Sequence, residues 1–207
     1  MANHHIFNYH GEDVSDSDSW LALRTDTLPD GVALDDISLF ELLNQQEKHD
    51  VLLPLSDVLT DDLLDAELAA DKNDGGLLKE VVTLIREHSS RIGVWFEASL
   101  LIDRLDDLPK GLLSQDLIVV VVPAFADGRN FSVIQSLRKL GFSGEIRVAG
   151  AFGRDQIAYL RRVGADSFVV SEHDAKNNIS QAFSALASAH AGDSAASLPL
   201  FAETAES

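Results

Sequence analysis

The sequence Leu-Ile-Val-Val-Val-Val at positions 117–122 is the clearest secondary-structure signal in the chain. Five of its six apolar residues are β-branched and Pro123 follows it directly, which predicts a short strand with both faces buried. Strands buried on both faces are typical of parallel sheets covered by helices. This stretch therefore indicates an α/β fold.

Shorter strands of the same kind are predicted on both sides of this stretch. They cover residues 92–97, 145–149 and 167–171, with a weaker candidate at 51–55. Between them, apolar residues recur at helical spacing and stop at Gly141 and Gly164, where glycine is the expected helix cap. Further amphipathic helices are predicted over residues 77–85 and 179–186. This alternation predicts a mostly parallel sheet of about five strands with flanking helices.

The strand at 145–149 has charges on one face. Ile146 and Val148 point to one side, so Glu145 and Arg147 point to the other. A barrel-like sheet can direct such charges into a polar interior, whereas an open sheet buried under helices disfavours them. Five strands are too few for a complete eight-stranded barrel. We therefore expect an open parallel sheet, with a partial β/α barrel as the alternative.

The 207 residues allow one domain of ordinary size. Residues 1–29 are acidic and without a sustained period, and they are predicted to form a mobile tail. Residues 30–191 are expected to form a single α/β domain. Residues 192–207 are rich in alanine, serine and glutamate and are predicted to be a disordered C-terminal tail.

Composition excludes several classes of function. A net charge of −18 opposes nucleic-acid binding, and the absence of cysteine excludes disulfides and cysteine-ligated clusters. Since the histidines lack metal-ligand spacing, we expect no metal site; any cofactor stays undetermined. No secretory signal and no apolar run near membrane-spanning length is found, so we expect a cytoplasmic protein that does not bind membranes.

Residues 123–164 are the basic exception, with seven basic and three acidic side chains. In parallel α/β folds ligands bind in the loops that follow the strands, and helix N-termini there favour anions. The predicted anion site consists of Arg129, Arg147 and Arg154 with Ser132 and Gln156, and Asp127 or Asp155 is the candidate acid or base. The alternative is structural: these arginines pair with the abundant carboxylates, and Asp127 forms a turn with Gly128.

Other basic residues of this segment lie on the predicted helices. Arg138, Arg161 and Arg162 form a candidate docking surface for a partner, although a solvated helix face is the ordinary interpretation of such a pattern.

The residues between about 90 and 175 resemble a bacterial family of unknown function, whose members are often labelled as probable oxidoreductases involved in sulfite reduction. The resemblance is carried, in order and with matching spacing, by Phe125-x-Asp127-Gly128-Arg129-x-Phe131-Ser132, Leu137-Arg138, Gly141-Phe142-x-Gly144-Glu145-x-Arg147, Gly150, Asp155-Gln156 and Arg162-x-Gly164. One departure is Ala151, where the family usually carries an aspartate.

In this family the genes commonly lie beside those for the sulfite reductase hemoprotein and phosphoadenylyl-sulfate reductase. The resemblance thus implies an accessory or electron-transfer partner of assimilatory sulfite reduction, with sulfite reductase or its electron donor as the partner. A small oxyanion or an adenylyl-sulfate is the implied ligand. A stand-alone α/β enzyme on a small anionic substrate is the alternative.

A third interpretation concerns the C-terminal tail. The segment Ser197-Leu198-Pro199-Leu200-Phe201 resembles the apolar peptides by which bacterial proteins bind the sliding clamp of DNA polymerase, without their leading glutamine.

Overall fold

The computed structural model describes residues 4–55, 79–104, 110–177 and 179–184. Its strands are His4–Asn8 (β1), Trp20–Leu23 (β2), Asp35–Ile37 (β3), His49–Pro54 (β4), Ser89–Glu97 (β5), Leu117–Val122 (β6), Glu145–Gly150 (β7) and Ser167–Ser171 (β8). Its α-helices are Leu39–Asn44 (α1), Lys79–His88 (α2), Arg129–Lys139 (α3), Ile157–Val163 (α4), Glu172–Lys176 (α5) and Ile179–Ser184 (α6).

The eight strands form one sheet in the order β1-β8-β7-β6-β5-β4-β2-β3. All neighbouring strands are parallel except β1, which runs antiparallel to β8. The sheet is curled into a half-barrel with flanking helices. The prediction of a mostly parallel α/β sheet is therefore confirmed. The predicted number of about five strands is wrong, because the sheet has eight described strands. The shape of the sheet agrees with the partial barrel that was the alternative to an open sheet.

The two faces of the sheet are covered differently. All six described helices pack on one face, where Val120 and Val148 meet Ile134 of α3, and where Val51 meets the buried Ile85 of α2. The opposite face, which we call the helix-free face because no described α-helix packs on it, carries the alternate side chains of the same strands and is covered by loops and one short 3-10 helix, Ser15–Ser17, of the N-terminal half. The buried apolar residues of this face are Ile6, Trp20, Ala22, Val32, Leu52, Trp95, Leu117, Val119, Val121, Ala149 and Val169.

The acidic N-terminal segment differs from its prediction. Residues 1–29 were expected to be a mobile tail, but β1 and β2 lie within them and are strands of the sheet. Ile6 is fully buried opposite Val169 of β8, and Trp20 is 5% exposed. Each strand has only four or five residues, so no period is visible in the sequence, and the acidic residues lie mainly in the loop between the strands.

Helices α3 and α4 end just before the two glycines that were predicted to cap them, Gly141 and Gly164. Gly164 has a φ of +115°, in the left-handed region that terminates a helix, and its N–H donates to the Arg161 carbonyl. Part of the helix predicted at 179–186 and the whole tail at 192–207, with the clamp-like segment, lie outside the described residues. None of the helices described is long and apolar enough to span a membrane.

Candidate functional site

The parallel strands β6, β7 and β8 end at one edge of the sheet, and the loops that follow them carry most of the predicted site residues. Residues 123–128 connect β6 to α3, residues 151–156 connect β7 to α4, and α5 follows β8 directly. This carboxyl edge is where parallel sheets bind ligands, because helix N-termini and exposed loops converge there.

Asp127 and Arg129 form a closed pair at the start of α3. Arg129 Nε donates to Asp127 Oδ1 at 2.8 Å, and Nη2 donates to Oδ2 at 2.7 Å. The same carboxylate accepts the Arg129 backbone N–H at 3.1 Å, and these bonds lower the pKa of Asp127. Glu97 and Asp103 add further negative charge around the guanidinium. Arg129 therefore lies among carboxylates, and Ser132 is exposed one turn further along α3.

Gln156 joins the loops after β6 and β7. Its Oε1 accepts the Gly153 backbone N–H at 3.1 Å, and its Nε2 donates to the Phe125 carbonyl at 3.3 Å. The Phe125 ring packs against Gly153, since a Cβ added to Gly153 would lie 2.6 Å from that ring. Phe125 nevertheless stays 59% exposed. Gln156 thus fixes the two loops to each other, and Asp155 is exposed beside it.

Arg154 lines a cleft of about 250 Å³ between the ends of β7 and β8, which we call the β7–β8 cleft. The cleft is lined by His4, Asp30, Gly150, Ala151, Phe152, Arg154, Ile157, Val169, Val170, Ser171 and Asp174. Arg154 Nη1 donates to the Asn177 carbonyl beyond α5. Within the described part of the chain, no carboxylate forms an ion pair with this guanidinium.

Arg147 is not part of this edge. It lies on the helix-free face, near the amino-terminal end of β7, with 3% of its side chain exposed. Burial opposes its charge, but Glu145 and Asp18 outweigh that effect and raise its pKa. Ser167 donates to Glu145 at 2.5 Å and lies 3.3 Å from Arg147 Nε. The interpretation that groups Arg147 with Arg129 and Arg154 is therefore corrected by the fold.

A second ion pair lies on the same face. Arg91 Nη2 donates to Asp50 Oδ2 at 2.6 Å, and Ser19 donates to the same oxygen at 2.5 Å. The Arg91 guanidinium also stacks 4.8 Å from the centre of the Trp20 ring. Asp18, Ser19 and Trp20 thus contact two arginines of the sheet in succession, and we call residues 13–20 the N-terminal strap. The strap borders a cavity of about 410 Å³ at this end of the strands.

The three arginines proposed for docking have different surroundings. Arg138 donates to the carbonyls of Gly164, Phe142 and Gly144 and pairs with Asp166. Arg161 lies 4.3 Å from the Tyr9 ring centre and donates to the Phe183 carbonyl. Arg162 lies 5.9 Å from the centre of the Tyr159 ring, which is half exposed. Arg138 and Arg161 therefore hold the fold together.

Sequence reasoning missed several residues of both regions. His4 and Asp30 reach the β7–β8 cleft, and Asp18 reaches Arg147, from the segment predicted as a tail or from its boundary. The one signal available was the charged face of β7, because a buried Arg147 requires a carboxylate from elsewhere in the chain. Among the residues described, no group of three potential ligands is arranged to hold a metal ion.

The family comparison covers both loops of the carboxyl edge. A model of a family described as bacterial protein of unknown function (DUF934) matches residues 93–201, which is more than half of the chain. The chain belongs to the DUF934 family. The match begins within β5 and includes β6, β7, β8 and the β7–β8 cleft residues from Gly150 to Asp174. No curated protein and no solved structure shows significant similarity to the chain.

Proposed function

We propose that the protein is an accessory or electron-transfer partner of assimilatory sulfite reduction, which binds a small anionic ligand in the β7–β8 cleft. The observation that supports the proposal is the family match over residues 93–201, because it contains the loops that carry the resemblance described above. The pathway is inferred from the label that members of the resembled family often carry, and the ligand site is inferred from the residues that line the cleft.

Arg154 is the anion-binding residue of this proposal. Its guanidinium lines an open cleft at the carboxyl edge, and no described carboxylate forms an ion pair with it. Arg129, by contrast, would have to give up a bidentate bond to Asp127 before it could bind an anion. A guanidinium that keeps free N–H groups can form a charge-assisted bond to a sulfur oxyanion or to a carboxylate.

The surface that docks on sulfite reductase, or on its electron donor, is the tip of the loop after β6. Phe125 is held there by Gln156 and Gly153 while most of its ring faces solvent. Exposed aromatic side chains on a rigid support are common anchors of protein interfaces. Since Arg138 and Arg161 bond to backbone carbonyls of their own chain, they contribute to docking less than Phe125 does.

Growth of a deletion strain tests the pathway. We expect the strain to grow on sulfide but not on sulfate or sulfite, and the wild-type gene to restore growth. Arg154→Ala and Phe125→Ala should fail to restore it, whereas Lys139→Ala, at an exposed position of α3, should succeed. Equal growth of the deletion strain on all three sulfur sources would refute the assignment to sulfite reduction.

An enzyme acting on a small anionic substrate is the second candidate. It is favoured by the presence of an imidazole and two carboxylates beside Arg154 in one cleft, from His4, Asp30 and Asp174. Asp127 is a poor general base, because Arg129 lowers its pKa and occupies both of its oxygens. Turnover of sulfite or of an adenylyl-sulfate by the purified chain, without the reductase, would support this candidate over the first.

A further inference from the structure

The β7–β8 cleft presents charges of both signs to any ligand. Arg154 supplies a guanidinium, whereas Asp30 and Asp174 supply carboxylates from two other segments of the chain. An inorganic oxyanion bonded to Arg154 would have these carboxylates as neighbours, and like charges brought together in a cleft repel each other. The cleft is therefore better suited to a ligand that carries a cation as well as an anion.

Arg154 and Asp30 are both available to such a ligand. Asp30 is exposed, and its carboxylate has no hydrogen bond or ion pair to the described residues. Arg154 uses Nη1 for the Asn177 carbonyl, so its other N–H groups can bind a ligand. Asp174 is partly occupied, because its Oδ2 accepts the Ser171 hydroxyl at 2.8 Å.

The loop that carries Asp30 is fixed against β1. Gly31 follows it with a φ of +79°, and a Cβ on Gly31 would lie 3.3 Å from two atoms of the His4 ring. Gly31 and the His4 ring are therefore close-packed, and His4 and Asp30 both line the cleft. Asp30 thus lines the same cleft as Arg154 of the loop after β7, although Asp30 lies in a loop and not in a strand.

The volume of the cleft and its apolar lining residues limit the size and the side chain of the ligand. Its volume of about 250 Å³ lies below the range of about 300–1,000 Å³ that is typical of pockets for drug-sized molecules. Ile157, Val169 and Val170 contribute apolar atoms to its lining and are almost fully buried. A small metabolite with a short apolar or sulfur-bearing side chain fits this combination.

We propose that the β7–β8 cleft binds a small zwitterion of the α-amino acid class. The ligand carboxylate pairs with Arg154, its ammonium group pairs with Asp30, and its side chain lies on Ile157 and Val169. The inference rests on the proposed function only in taking Arg154 as the residue that binds the anionic group. Beyond the proposed function, the inference gives the ligand a cationic group and makes Asp30 the residue that binds that group.

Calorimetric titration of the purified full chain tests the ligand class. The probes are L-cysteine, 3-mercaptopropionate, which lacks the ammonium group, and cysteamine, which lacks the carboxylate, all under reducing conditions. L-Serine and L-methionine extend the side chain series. We expect at least one amino acid to bind, and the two analogues to bind at least about tenfold more weakly than L-cysteine if L-cysteine is bound.

Matched variants identify the groups that hold the ligand. Asp30→Asn should weaken amino acid binding at least about tenfold, and Arg154→Ala should abolish it. Asp26→Asn, at an exposed position of the same loop, and Lys139→Ala should leave it unchanged. Circular dichroism of each variant checks that it is folded.

The outcomes separate this inference from the proposed function. Failure of all three amino acids to bind, or binding that Asp30→Asn leaves intact, would overturn the zwitterion. Binding of sulfite that depends on Arg154 but not on Asp30 would overturn it as well, while it would support the anion site of the proposed function. The growth experiment tests the pathway without reference to either ligand.

Discussion

Asp18 and Arg147 form a bidentate ion pair between residues 129 positions apart in the chain. Arg147 Nη2 donates to Asp18 Oδ1 at 2.8 Å, and Nη1 donates to Oδ2 at 3.2 Å. The side chains are 3% and 5% exposed. Because the pair joins the N-terminal strap to β7, the acidic N-terminal segment is part of the folded core.

Asp18→Ala is expected to destabilise the protein by about 3 kcal/mol, since it leaves a buried guanidinium with one carboxylate fewer. Glu145 stays within 3.0 Å of Arg147, which keeps the loss at the lower end of the range for broken buried pairs. The measurement is urea unfolding at neutral pH. Asp16→Ala, at an exposed position of the same strap, should change the free energy of unfolding by less than about 0.5 kcal/mol. Equal effects of the two substitutions would contradict a role for the pair.

The Arg91–Asp50 pair should make stability depend on pH in the acidic range. Hydrogen bonds from Arg91 are the main cause that lowers the pKa of Asp50. A carboxyl whose pKa is lower in the folded state stabilises the protein at any pH above its unfolded pKa of about 3.9. This stabilisation is lost as the pH falls through the folded-state pKa. Asp50→Asn should therefore be less stable than wild type at pH 7, and the difference should shrink below about pH 4. A difference that is constant from pH 7 to pH 3 would disprove the assignment.

Gly150→Ala should destabilise the end of β7. Gly150 has a φ of +93°, and a Cβ there would lie 2.4 Å from the Val122 carbonyl oxygen of β6. We expect a loss of about 1–3 kcal/mol in thermal or urea unfolding, because the backbone conformation and the close approach both disfavour a side chain. Gly128→Ala is the matched control, since its φ of −85° is ordinary and no atom lies within 4 Å of an added Cβ. It should be neutral within about 0.5 kcal/mol.

Arg138→Ala should lower the stability of the fold, and its effect should not be confined to partner binding. The guanidinium bonds to three backbone carbonyls and to Asp166, which connects α3 with the turns before β7 and β8. Removing a charged donor from several acceptors is expected to cost about 2 kcal/mol or more in urea unfolding. Lys139→Ala, at the next and exposed position, should cost less than about 0.5 kcal/mol. If Arg138→Ala unfolds like wild type, the residue belongs to the docking surface instead.

The strands from β4 to β8 could be predicted because each contains several apolar residues that the sheet buries, although β7 also carries Glu145 and Arg147. The strands β1, β2 and β3 could not, since they have three to five residues and β3 is Asp-Asp-Ile. Their strand conformation depends on the pairing of β1 with β8, of β2 with β4 and of β3 with β2, which local sequence does not encode.

The candidate site was predictable only in part for the same reason. The loops after β6 and β7 follow strongly predicted strands, so the sequence predicts Arg129 and Arg154 at the carboxyl edge, where the structure has them. The sequence could not show that Asp127 forms a bidentate ion pair with Arg129. It also could not show that Asp30 and His4 reach the cleft from the N-terminal part of the chain. Those contacts depend on the order of strands in the sheet.

The antiparallel direction of β1 has a practical consequence for labelled forms of the protein. Because β1 opposes its neighbour, its first residue, His4, lies at the same edge as the last residues of β8. A peptide tag or fluorophore joined to the chain about four residues ahead of His4 lies at most about 14 Å from it. Such a group lies within reach of the cleft, where a fluorophore would report on its occupancy and a bulky affinity tag would compete with its ligand.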